Sequence, residues 1–542
     1  MYHNIWHAVV LMAVCAALAA AQPARGQNTG ALRVGYTEPD TLDPHVALSG
    51  SSPSIVRFLY RGLTRFAIRD GRVTTSAVDP DLAGSWIEPD ADDLTWVFRL
   101  RRGIQFHKGF GELTAEDVKF SFERQMNDPQ HMVFANNLDV ISSIEVVNNY
   151  TLWITLKYPD PVFLLRVAGF QQGYIVSKKA VQQYGERFPW NPVGTGPFYF
   201  EQRIKDEKII LKSHEAYEEP QRVDESPPRT RPNLDEVHWF DVRDSDTMVL
   251  GLKYGAFDII YPNVITPALF ESAKQIGAVL DKRGPGLQWS LFFNTGQKPF
   301  DAIEVRRAVM YAIDRNAIKE AVWLKDMAML AVSPVPPGYV GHTPVEILPH
   351  DPERARALLT KAGHSGLFLQ AHFISEAFEY PKIMALVQQQ LNAVGIELPL
   401  VPVKNAIYHE RIQANQNAIV LHNAARLPHA DVMLSLFYHS SQAPNPRLGQ
   451  TGTNFSHYRD MDDLLEQARQ TANDDDREKL YHEAQQRLMR DAVVLPIVIV
   501  PDMSLRNPKR VRSPFDPEMG EAALHYFYNY PELFELVRQS YP

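Results

Sequence analysis

Pro192-Val193-Gly194-Thr195-Gly196-Pro197-Phe198 places two glycines and two prolines within seven residues. A glycine pair can cradle a phosphate with backbone N–H groups, but Pro197 removes a donor where such a cradle needs one, so the stretch reads as a tight turn. Around it the hydrophobic period keeps changing. Leu94, Trp96, Phe98 and Leu100 alternate with Thr95, Val97 and Arg99, the two-residue period of a strand with one buried face. Leu152, Ile154 and Leu156 repeat the pattern, and Leu32 to Tyr36 reads as a first strand. Thr114 with Asp117 three residues on has the form of a capping box, opening a helix whose Val118, Phe122 and Met126 share one side. Asp301 and Glu304 start another helix, with Val305, Val309, Ala312 and Ile313 inward. Asp474, Asp475 and Asp476 precede Leu480, Ala484 and Leu488 in the same way, acidic residues being favourable at a helix N-terminus. Glu218 to Pro232, with its four prolines, reads as an exposed loop inside a domain. Strands and helices alternate along the chain, which predicts an α/β fold.

The chain has 542 residues, 45% hydrophobic and 22% charged, enough for about three folding units with a large core. A net charge of −9 spread over interleaved acids and bases leaves no broad basic face, which argues against nucleic-acid binding. Ala8 to Ala21 is an unbroken apolar run, too short to span a bilayer of about 30 Å. It predicts a signal peptide over residues 1–26, cut after Ala21 or Gly26, although Met1 to His7 carries no Lys or Arg. Cys15, the only cysteine, lies inside that run, so the exported chain would hold no disulfide and no thiolate nucleophile. Val14 and Met12 fit a lipoprotein cleavage box poorly, which leaves a lipid anchor at Cys15 as a minor alternative.

The usual linear signatures of catalysis are missing. His214-Glu215 and His482-Glu483 begin like zinc-protease helices, but Glu218 and Gln486 stand where the second His would have to be. There is no nucleophile elbow and no phosphate loop. His107, framed by Phe106 and Gly109, lacks the positioned partner a general base needs. Arg506, Lys509, Arg510 and Arg512 read as a solvated strand end or as a dock for a membrane partner.

Seven segments carry a resemblance over nearly the whole exported chain. They are Leu42-Asp43-Pro44, Pro80-Asp81-Leu82-Ala83-Gly84-Ser85-Trp86, Phe106-His107-Lys108-Gly109, Thr114-Ala115-Glu116-Asp117-Val118, the Pro192–Phe198 stretch, Phe293-Asn294-Thr295, and Val305-Arg306-Arg307-Ala308 running into Ala312-Ile313-Asp314-Arg315. In order and spacing they resemble the family 5 extracellular solute-binding proteins, the dipeptide and oligopeptide receptors of bacterial ABC importers. The resemblance implies a bilobed periplasmic-binding-protein fold, two α/β lobes with two hinge crossings and an extra subdomain in the first lobe. Mapped here, the first lobe comprises residues 32–283, with 76–194 as the extra subdomain; the second lobe is 284–499, and 500–542 return to the first.

It further implies a periplasmic monomer without catalysis, cofactor or metal, which shuts on a peptide or peptide-like solute and delivers it to an inner-membrane ABC permease. Opines, glutathione, oligosaccharides and chelated nickel are other solutes of such receptors. A secreted hydrolase acting on peptides or glycans is the alternative from another class, since carboxylate pairs are assembled in space rather than in sequence. Peptide receptors carry a strand ending in Gly-Trp and then an Asp-containing loop, one Asp of which grips the ligand's ammonium. The matching stretch, Ile419 to Phe437, has His422-Asn423-Ala424-Ala425-Arg426 in that place, and Asp431 corresponds to the loop's second Asp. Arg426 would favour an anionic or neutral solute. By position, Ser49, Ser51 and Trp289 join Asn423, Arg426 and Asp431 as candidate ligand contacts, Trp289 serving equally well as a core residue.

Overall fold

The computed structural model describes residues 30–47, 51–69, 72–89, 93–128, 135–219, 232–261, 265, 267–323, 327–364, 366–445, 452–471, 473–512 and 531–536. Two long strands organise it. Val279–Phe293 runs antiparallel to Val494–Arg506. The run from Val493 to Ile499 is apolar without alternation, as expected of a strand covered on both faces, and Val494, Leu495, Ile497, Val498 and Ile499 are all fully buried. The pairing has three registers. Val279 to Arg283 oppose Arg506 to Asp502, Leu287 to Trp289 oppose Val500 to Val498, and Ser290 to Phe292 oppose Pro496 to Val494; between the first two, residues 284–286 face a single residue, 501. Such an insertion bends a ribbon and strengthens its twist.

Each half of the ribbon belongs to a different body. On one half, Ile259–Ile260 pairs with Leu505 and Arg506; Ala31–Tyr36 lies parallel between it and Glu236–Asp241, and the sheet continues antiparallel through Lys208–Ser213 to Phe198–Ile204. On the other half, Ile419–Ala424 pairs with Gln288 to Phe293, and Met329–Leu330 with Ile499 and Val498. Two large apolar cores follow, one around Phe58, Phe98, Phe122 and Phe198, the other around Trp289, Phe293, Val309 and Tyr408. The first lobe also carries a separate antiparallel sheet, ordered Ala83–Ile87, Thr95–Leu100, Thr151–Leu156, Ile141–Asn148. The expected alternation holds there: Trp96, Phe98, Leu100, Leu152, Ile154 and Leu156 are buried.

The capping box forms as read: the Thr114 backbone N–H donates to Asp117 Oδ2 (3.1 Å), and the helix Ala115–Met126 buries Val118 and Phe122. Asn473 caps Asp474–Arg490, accepting from the Asp476 N–H at 3.0 Å, and Asp474, Asp475 and Asp476 fill the first turn of that helix as expected. The helix expected to start at Asp301 begins instead at Ile303, with Ala302 in the capping position and no side-chain cap. The Arg306 guanidinium donates to the Phe300 and Asp301 carbonyls (2.5 and 3.2 Å), which holds those residues outside the helix.

Pro192–Phe198 is a packing turn. Gly196 N–H donates to the Leu59 carbonyl at the end of helix Ser52–Leu59 (2.9 Å), and a Cβ on Gly194 would collide with that same carbonyl. His107 completes it. Its Nδ1 accepts from Gly194 N–H (3.3 Å) and its Nε2 donates to the Gly196 carbonyl (3.0 Å), while burial pushes its pKa down to about 3. It is a neutral structural imidazole. In the basic C-terminal cluster, Arg506 pairs with Asp281 (2.9 Å) and Arg510 with Asp258 (3.1 Å), so two of its cations are neutralised within the first lobe. Among the described residues no helix is long and apolar enough to cross a membrane.

At the register break Gly286 has φ +64°, and a Cβ there would meet the Val500 carbonyl. Gly286→Ala should therefore cost more than about 1 kcal/mol, from backbone strain plus overlap. Urea unfolding would show this as a lowered midpoint; an unchanged midpoint would mean that the ribbon bends without needing glycine.

Candidate functional site

One loop of the second lobe packs into the first. After strand Ile419–Ala424 the chain runs through Arg426-Leu427-Pro428-His429 into helix Ala430–Tyr438. Val340 N–H donates to the Pro428 carbonyl (3.0 Å) and Ala430 N–H to the Val340 carbonyl (2.8 Å), pinning the loop from behind. His429 caps the helix, its Nδ1 accepting from Asp431 N–H at 3.1 Å. Leu427 and Val432, both buried, pack into the first lobe's apolar core.

Beside this loop lies a cavity of about 380 Å³ lined from both lobes, by Asp139, Tyr158 and Arg166 on one side and Asp431, His439 and Arg469 on the other. Asp431 is fully buried. Its Oδ1 accepts from Arg469 Nε (2.9 Å), and its Oδ2 lies 3.8 Å from Arg166 Nη2 across the junction. Burial raises the Asp431 carboxyl, but the two arginines outweigh it and hold the group below the usual carboxylate range. Asp431 thus belongs to an ion network, with Arg469 hydrogen-bonded to one carboxylate oxygen and Arg166 at ion-pair distance from the other.

Arg426 is placed differently. It is half-buried; its Nη1 donates to the Ala425 carbonyl (2.9 Å), and its guanidinium lies 5.7 Å from the centre of the Phe437 ring. Tyr339 fixes its backbone, the hydroxyl accepting from Arg426 N–H (3.0 Å) and donating to the Arg426 carbonyl (2.8 Å). No carboxylate among the described residues pairs with it, and burial pulls its pKa below the ordinary guanidinium value, opposed only by the Tyr339 phenol. Behind it His422 sits within 5.0–6.5 Å of the rings of Phe455, Phe437, His409 and Phe292, and neither ring nitrogen has a hydrogen-bond partner among the described residues. Burial, then Arg426, then His409 keep this imidazole neutral.

The other candidates separate. Asn423 is half-buried on the edge strand, paired with Trp289. Ser51 precedes helix Ser52–Leu59, fully buried with its hydroxyl unpartnered; Ser49 lies outside the described residues. Trp289 is 3% exposed and packed against Tyr380 and Trp323 at centroid distances of 4.9 and 6.0 Å. It is a core residue of the second lobe, so a place in the solute's wall does not follow. Sequence reading missed Tyr158, Arg166, Tyr339 and Arg469. Of these Arg166 left a signal, a lone cation inside the apolar run Val162 to Phe170, where a buried charge must find a partner.

Two lobes joined by a bent ribbon, with a polar junction between them, define a bilobed binding protein. The chain belongs to family 5 of the bacterial extracellular solute-binding proteins, whose middle-region model matches residues 77–445. It is 30% identical over 470 residues to heme-binding protein A of Haemophilus influenzae, covering 81% of this chain and 82% of that one. It is 29% identical over 471 residues to the glutathione-binding protein GsiB of Escherichia coli O6:K15:H31 (85% and 86%). Among solved structures it is similar to the periplasmic binding protein MoaA of A. tumefaciens R10 in complex with mannopinic acid, with a TM-score of 0.77, 26% identity, and coverage of 94% of this chain and 99% of the other. These relatives are named as binding proteins.

Acid should loosen this structure. Burial pushes His429 and His45 down to about 4 and His107 to about 3, from an ordinary 6.5. Below pH 6.5 the unfolded chain takes up protons that the folded sites refuse. Stability is thus full above that pH and falls towards pH 4, by up to about 1.4 kcal/mol per pH unit per histidine. Urea midpoints from pH 7 to 4 should decline, and His429→Asn, which keeps a capping side chain, should flatten the decline; an unaltered slope would place the titration elsewhere.

Proposed function

We propose that this chain captures a peptide or peptide-like solute between its lobes and hands it to an ABC permease in the inner membrane, without transforming it. In this reading residues 1–26 are a cleaved signal, the protein works in the periplasm as a monomer, and the lobes are 32–283 with 500–542, and 284–499, with 76–194 as the extra subdomain. The bent ribbon supports the division: its register changes between Arg283 and Leu287, opposite Val500 to Asp502. Membership of the solute-binding family supports the role.

The observation that carries the reading is Arg426, a half-buried cation next to Leu427, which packs into the first lobe, with no carboxylate paired to it among the described residues. Closure desolvates it further, and an uncompensated buried charge costs several kcal/mol, so a carboxylate on the solute is the partner the site lacks. Glutathione and mannopinic acid, named for two proteins similar to this chain, are both carboxylic acids. Asn423, the unpartnered Ser51 hydroxyl and Ser49 are further candidates for polar contacts to the solute.

Calorimetry with dipeptides, glutathione and opine acids should find tight binding of at least one carboxylate-bearing solute, and Arg426→Gln should weaken it about 10- to 100-fold, the worth of a charge-assisted hydrogen bond. Equal affinity in the variant would remove Arg426 from the solute's path. Hydrolysed rather than intact solute would replace the whole reading with that of a secreted hydrolase.

A further inference from the structure

Around the cavity each lobe reaches a charge or a ring into the other. Arg166, on the first lobe, is held there by Asp160 (Nε to Oδ2, 2.5 Å) and by the Asn137 carbonyl (3.2 Å), and it extends Nη2 to within 3.8 Å of Asp431 Oδ2. From the second lobe, Arg469 grips Asp431 Oδ1 and the Ser435 hydroxyl (2.9 and 2.6 Å), while its guanidinium lies 5.5 Å from the centre of the Tyr158 ring on the first lobe. All four charged side chains are at least four-fifths buried.

The distribution of partners is the informative point. Separation of the lobes breaks Arg166 to Asp431 and Arg469 to Tyr158, but Arg166 keeps Asp160, and Arg469 and Asp431 keep each other. No charge is stranded. A cross-lobe pair without such local partners would resist opening strongly, because a lone buried charge is costly, whereas this one contributes only the difference between two satisfied states. Asp431 Oδ2 has no hydrogen bond within its own lobe, which leaves Arg166 as the cation facing it.

We propose that Arg166 and Asp431, with Tyr158 under Arg469, form a reversible clasp that sets how much of the solute-free protein is closed. The clasp rests on the hinged reading above, but not on which solute binds or on Arg426. A ligand that needs the closed form binds with an apparent Kd equal to the intrinsic value divided by the closed fraction, so the clasp tunes affinity without touching the solute. Asp431 is then a positioning residue, acting through the geometry of the lobes.

Because Cys15 is the only native cysteine, a Cys15→Ser background with Ser143→Cys and Glu410→Cys places one dye on an exposed site of each lobe. Single-molecule energy transfer in the solute-free protein reads the closed fraction directly. Arg166→Lys keeps a cation for Asp160 on a shorter arm, and Asp431→Asn keeps hydrogen bonding to Arg469; each should lower the closed fraction about three- to tenfold, with any Kd rising by the same factor. The double variant should go no further than either single one, since both remove one interaction. Tyr158→Leu should shift the distribution in the same direction. An unchanged solute-free distribution in Arg166→Lys and Asp431→Asn, with urea midpoints showing folded protein, overturns the clasp even if a solute binds. Fully additive shifts in the double variant overturn it as well. Failure of every solute to bind would instead count against the proposed function, because the distribution is read without one.

Discussion

The antiparallel pairing of Val279–Phe293 with Val494–Arg506 is the constraint on which the molecule depends. Backbone N–H and C=O groups in a buried ribbon must be paired, so two strands that leave one core and enter another cannot simply be interrupted. The chain solves this by letting three residues face one at the junction, with Gly286 taking the one conformation a side chain would forbid. The first lobe's sheet grows from one end of the ribbon and the second lobe's edge strand, Ile419–Ala424, from the other. Since that edge strand delivers Arg426 and Asp431 to the junction, the position of both relative to the first lobe is governed by the bend.

The junction uses charge in two opposite ways. Around Asp431 each charge has a counter-charge on its own lobe, and Arg166 and Asp431 also face each other across the gap. Around Arg426 the same loop presents a cation with a phenol, a carbonyl and aromatic rings for company. The two positions are five residues apart in the chain, one paired with cations from both lobes and the other with no carboxylate partner among the described residues.

Much of the architecture was legible because it is written in short periods. The alternation at Leu94 to Leu100, the box at Thr114 and Asp117, and the packing turn at Gly194 each depend on residues a few positions apart, and all appear as read. The spacing around His107 offers no side-chain partner for a general base, and its actual partners, Gly194 and Gly196, are backbone groups no side-chain pattern could announce. The site was legible only in part. Trp289 looked as good a pocket wall as a core residue, and Tyr380 and Trp323, distant in sequence, decide for the core. Asp431 was singled out from a motif, yet its role depends on Arg166 and Arg469, which local spacing cannot connect to it. Asp301 carries a good capping side chain but loses the position, because Arg306 claims the carbonyls on which the first turn would have been built.

The ribbon also has a consequence in time. Its second strand, Val494–Arg506, is flanked by Val279–Phe293 for most of its length and by Ile259–Ile260 at one end, so neither sheet is complete without it. A chain emerging in order can collapse locally around its hairpins, but it cannot zip one half of the ribbon until residue 500, or the other until residue 506, is free. Assembly waits on contacts between segments more than two hundred residues apart, which makes folding slow and late.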